Sequence, residues 1–73
     1  MPTIENANSS LVAIKRHISD LAADGKSITP EMKRFLVSMA TRCYELKGVK
    51  TASTAGHDFV VGYLSHSMVS VMS

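Results

Sequence analysis

Three histidines, His17, His57 and His66, and one cysteine, Cys43, carry the softest ligand atoms of this chain. A structural zinc site is built from close pairs such as Cys-x-x-Cys, whereas successive members of this set stand 26, 14 and 9 residues apart. The spacing therefore predicts no metal and no cofactor, and the histidines read as surface or half-buried side chains. Cys43 cannot close an internal disulfide alone, and its place between Met39 and Leu46 marks it as a small core residue rather than a nucleophile. Acid–base catalysis requires titratable groups converging in a pocket, but the six acidic residues are dispersed along the chain. Gly25, Gly48, Gly56 and Gly62 stand singly, and none precedes a Lys-Ser or Lys-Thr pair at the spacing of a phosphate-binding loop. The expectation is a protein without catalytic residues.

Any surface must then be presented by a small scaffold, because 73 residues make a single domain. The pattern predicts an all-α bundle. Leu11, Ile14, Ile18, Leu21 and Ala22 recur at helical spacing, which predicts a first helix over about 10–24, capped by Ser9 or Ser10 and stopped at Gly25. Thr29-Pro30-Glu31 supplies a capping hydroxyl, a first-turn proline and an acid near the positive helix end, so a second helix is expected over about 30–47. Its apolar stripe reads Met32, Phe35, Leu36, Met39, Ala40, Cys43 and Leu46. With Phe35 in the core, Phe35→Ala would cost about 3–5 kcal/mol.

Residues 1–8 show no hydrophobic period and read as a flexible arm, and the small residues of 50–56 read as a mobile loop. The segment from 57 to 72 is ambiguous. Phe59, Tyr63, Leu64, Met68 and Val71 fit one helical face, with Thr54 or Asp58 as a cap, yet Val60, Val61, Val69 and Val71 are β-branched and Gly62 costs a helix about 1 kcal/mol relative to alanine. A third helix is the expectation, since an isolated strand would have nothing to pair with.

The net charge of +2 comes from eight basic and six acidic residues, too slight a balance to identify a nucleic-acid binder. All eight basic residues lie between Lys15 and Lys50. Lys15-Arg16 and Lys33-Arg34 fall on outer sides of consecutive helices joined by a glycine turn, a layout shared with helix-turn-helix proteins. No cluster of Arg, Asn and Gln accompanies them to read bases, so DNA binding stands as the alternative to protein binding. Val12, Val37 and Tyr44 lie off the main stripes and are expected to be partly exposed. The candidate partner-binding residues are thus Lys15, Arg16, Lys33, Arg34, Val37 and Tyr44. The polar start, without a basic and then apolar leader, predicts a cytoplasmic protein, and no apolar run is long enough to span a membrane. A monomer or a weak homodimer is compatible with this pattern.

In length and in its opening run MPTIENANSSLVAIKRHISDLAADGKSITPEMKRF, the chain resembles small transcription regulators of lytic bacteriophages. That resemblance implies a non-catalytic inhibitor of host RNA polymerase in the bacterial cytoplasm, touching the beta and beta-prime subunits. It also implies displacement of the sigma factor and antitermination. No motif of that family assigns these roles to individual residues. The turn Asp24-Gly25-Lys26-Ser27-Ile28-Thr29 is also similar to one in small enterobacterial regulators of the biofilm-connector kind, which would imply an adaptor.

Overall fold

The computed structural model describes residues 4–72. It is an all-α bundle of three helices, α1 (Ile4–Ala23), α2 (Pro30–Leu46) and α3 (Ala52–His66). The molecule measures 34 × 19 × 18 Å, and its long dimension is set by the 20-residue α1, whose ideal length is roughly 30 Å. Ile14, Ile18 and Val60 are fully buried, surrounded by Leu11, Leu36, Ala40, Cys43 and Leu64 and closed at one end by Ile28 and Val69. Among the described residues no polar or charged side chain is buried, so burial of apolar surface is what holds the helices together.

Helix α1 follows the expected stripe but starts earlier than residue 10. The arm expected over residues 1–8 is helical from Ile4, and residues 1–3 lie outside the described residues. Ala7 precedes Leu11 by four residues, so it prolongs the same stripe and is 1% exposed. Asn8 and Ser9 occupy the solvent side of this first part, which makes Ser9 and Ser10 interior helix positions rather than caps.

Helix α2 starts as its sequence dictates. Thr29 Oγ1 accepts from the Met32 amide at 3.1 Å, and Pro30 occupies the first turn. Its inward face differs from the expected one. Leu36, Ala40 and Cys43 are buried, and Val37 and Tyr44 pack half-buried beside them, while Phe35 is 59% exposed and Met32 and Leu46 are also on the surface. The inward arc is rotated because α2 must serve both neighbours, and α3 is the larger of its two interfaces. Phe35 is therefore not a core residue, and a cost of 3–5 kcal/mol for Phe35→Ala does not apply.

The expected loop over 50–56 is likewise corrected, because α3 begins at Ala52. Its buried positions, Ala52, Gly56, Val60 and Leu64, recur every four residues, two small ones followed by two large ones. The small ones allow close approach to α2: a Cβ on Gly56 would lie 2.5 Å from the Thr41 nitrogen and 2.8 Å from its Cα. The first turn of α3 lacks large apolar residues because they would not fit. Thr51 takes the N-cap position without a side-chain bond, so neither Thr54 nor Asp58 is the cap.

The ambiguous C-terminal segment is divided. It is helical to His66, turns at Ser67 and Met68 and only then runs extended, so Met68 and Val71 leave the helical face assigned to them. A strand-like partner does exist: the Ile28 amide donates to the Ser70 carbonyl at 3.0 Å, and the Met72 amide donates to the Ile28 carbonyl at 2.7 Å.

All three helices end in the same closure. After α1, Lys26 donates to Leu21 at 2.9 Å and Gly25 to Ala22 at 3.1 Å; after α2, Val49 donates to Tyr44 and Gly48 to Glu45, both at 3.0 Å. After α3, Val69 donates to Leu64 at 2.9 Å and Met68 to Ser65 at 3.1 Å. The closure needs a left-handed residue, and Gly25 and Gly48 meet that need at φ +67° and +80°. At the third site the residue is Met68, with φ +61° and a side chain 89% exposed. A left-handed non-glycine costs roughly 1–2 kcal/mol, against roughly 0.5–1 kcal/mol for the extra unfolded-state freedom of glycine. Met68→Gly is expected to raise stability by roughly 0.5–1 kcal/mol, a few degrees in Tm for a domain of this size. A lower Tm in a thermal melt would show that the Met68 side chain contributes more than its conformation costs.

Candidate docking groove

The six candidate binding residues fall into three places rather than one face. Lys33, Arg34 and Val37 come together. They lie in the first turns of α2, oriented by the Thr29 cap, and line an open groove with Pro30, His57 of α3 and Val71 of the C-terminal segment. Val37 and Val71 give the groove an apolar part, and Lys33, half-buried, lines it with them. Arg34 approaches Glu31 at 3.8 Å, but both side chains are more than 70% exposed, so this pair is worth a few tenths of a kcal/mol at most. The guanidinium thus remains available to a partner. His57 stands 3.7 Å from Asp58 on the solvent side of α3. The positive end of the α2 dipole adds to the same field.

Lys15 is directed elsewhere, with its Nζ 5.4 Å from the centroid of the Tyr63 ring. Tyr44 also belongs to that region. Its ring meets Phe59 edge-on at 6.3 Å, Phe59 meets Tyr63 at 4.8 Å, and Lys47 lies 5.6 Å from the Tyr44 centroid. These rings are half-buried and occupied with one another, so Tyr44 ties α2 to α3 rather than standing free as a contact residue. Val37, too, is half-buried and serves as groove floor and core flank together. Arg16 lies apart from both, on the outer side of α1 beside Val12, His17 and Asp20.

His57 and Val71 were missed by sequence reasoning. They reach the groove only through the α2–α3 crossing and the pairing of Val71 with Ile28, and no local spacing could signal either. Among the described residues, no three His, Cys, Asp or Glu side chains are grouped so as to hold a metal ion, and no buried side-chain nitrogen or oxygen lacks a partner. Cys43 is buried and free. No helix among the described residues is long and apolar enough to cross a membrane. The grooves among the described residues are open to solvent, and what they offer a partner is contact area and charge. No family model matches the chain, and neither a curated protein nor a solved structure matches it.

Proposed function

We propose that this protein is a non-catalytic regulator that grips an acidic, partly apolar surface of a larger protein through the groove around Lys33 and Arg34. The observation that carries this reading is the joining of two cations and His57 to the apolar floor of Val37 and Val71. Charges at such a rim steer association and fix orientation, while the apolar floor supplies the part of binding that salt does not screen. The resemblance to small phage transcription regulators supplies the partner: host RNA polymerase in the bacterial cytoplasm, bound through its large beta and beta-prime subunits. Sigma-factor displacement and antitermination are the consequences proposed for that contact. No catalytic step, cofactor or metal enters this mechanism; the protein acts by occupying a surface.

The test is a titration of purified polymerase with wild-type protein and with a Lys33→Glu/Arg34→Glu variant, alongside thermal melts of both. Neither side chain is buried, so the variant is expected to keep its melting curve. Its capture of polymerase should fall at least about tenfold, roughly 1.4 kcal/mol. Inhibition of promoter-dependent transcription should fall in the same proportion. Wild-type capture should survive nuclease treatment and weaken only modestly with salt, in contrast to the steep dependence of a phosphate-dominated site. A folded variant that binds and inhibits like wild type would remove this groove from the interface.

A further inference from the structure

The geometry points to self-association of the chain through a second apolar stripe of α2, as an antiparallel two-fold dimer. Met32, Phe35, Met39 and Leu46 follow one another at intervals of 3, 4 and 7 residues, the heptad spacing of a helix–helix seam, with Arg42 at the intervening position. This stripe runs beside the inward arc of Leu36, Ala40 and Cys43; Met39 packs half-buried against the core, while Met32, Phe35 and Leu46 remain 39%, 59% and 37% exposed. The other three aromatic rings among the described residues are half-buried. Phe35 alone projects.

A two-fold interface needs a patch that complements itself, and this one does so in shape and in charge. Toward the C-terminal end of α2, Met39, Arg42, Cys43 and Leu46 form an apolar recess with Ala7 and Ser10 of α1. With two α2 helices antiparallel and Phe35 facing Met39 of the second copy, each Phe35 ring enters the recess of the other protomer. The same register sets Arg42 against Glu31 of the second copy at both ends of the seam. Arg42 has no ion pair among the described residues, and Glu31 holds only the 3.8 Å contact with Arg34. Both side chains lie on the same flank of the stripe, and antiparallel two-fold packing brings like flanks together.

The 17 residues of α2 span roughly 25 Å. A single helix pair of that length falls in the small interface class, below roughly 1,200 Å², the size of weak and transient contacts, so a weak dimer is expected. Its face meets the groove at Lys33, Arg34 and His57 only through Glu31, the partner of Arg34, so Phe35 is the position that breaks the dimer without touching the groove.

Sedimentation equilibrium of the full chain, from roughly 1 to 500 µM to cover the range of a weak dimer, is the test, with circular dichroism on each sample. The mass of wild type should rise from 7.9 kDa toward twice that value. Phe35→Glu should stay helical and monomeric throughout, while its capture of polymerase through the Lys33 groove is retained. Arg42→Glu should weaken the dimer about tenfold, and Glu31→Arg/Arg42→Glu should restore it, a rescue that stands even if Phe35→Glu misfolds. Wild type that remains monomeric at the highest concentration overturns the proposal, as does a charge swap without rescue. Monomeric wild type whose Phe35→Glu variant loses polymerase would assign the stripe to that partner instead. A dimer that survives Lys33→Glu/Arg34→Glu while polymerase binding is lost supports both readings separately.

Discussion

Gly56→Ala is expected to destabilise the protein by about 3 kcal/mol or more, at or beyond the usual upper range for overpacking. The added methyl would meet the backbone nitrogen and Cα of Thr41 at 2.5 and 2.8 Å, and a backbone cannot swing aside as a flexible side chain does. Relief requires α2 and α3 to separate, which loosens the seam that holds Val60 and Leu64 in place. The control lies within the same helix. Gly62 is exposed with open space around its Cα, so Gly62→Ala should stabilise by roughly 0.5–1 kcal/mol through the unfolded-state entropy of glycine alone. Urea titrations of the two variants should move in opposite directions. Equal midpoints would show that the helices do not approach at Gly56.

Ile18→Ala should have an effect of comparable size for the opposite reason. Ile18 is 0% exposed at the point where α1 meets the other helices, and truncation there leaves a cavity that costs about 2–5 kcal/mol. A core of this size supplies only about 3–5 kcal/mol in all, so the variant should be largely unfolded at 37 °C. Phe35→Ala is the contrast, because a ring 59% exposed loses little on truncation and should shift the midpoint by less than about 1 kcal/mol. If far-ultraviolet circular dichroism showed Ile18→Ala melting like wild type and Phe35→Ala unfolded, the inward arcs assigned here would have to be exchanged.

That contrast marks where sequence and structure part. Helix α1 has one apolar stripe, so Leu11, Ile14 and Ile18 were legible from their spacing, and Ala7 escaped only because polar residues surround it. Helix α2 has two adjoining stripes, and its largest apolar side chains, Met32 and Phe35, belong to the outer one. Spacing placed Leu36, Ala40 and Cys43 correctly in the core but merged the outer stripe with them, whereas the fold turns only the narrower arc with small Ala40 and Cys43 toward its neighbours. The start of α3 was unreadable for a related reason. Ala52 and Gly56 are there for what they leave out, and an absence of side chain resembles a loop until the crossing partner is known. Of the groove, Lys33, Arg34 and Val37 were legible as neighbours on one helix; His57 and Val71 belong to it through tertiary contacts alone.

The two hydrogen bonds that join Ile28 to Ser70 and Met72 also order the events of folding. They tie the chain into a ring that encloses α2 and α3 and leaves α1 outside it. The bonds within each helix close over a few residues, whereas this tie closes over more than forty, and the entropy of a loop that long is recovered only when both enclosed helices are already formed. The tie is consequently a late contact on the way to the native state and an early one to open. Release of the extended end withdraws Val71 from the groove and uncovers Ile28 at the end of the core while the helices persist, so the proposed docking groove and the lid over the core are lost in one subglobal opening.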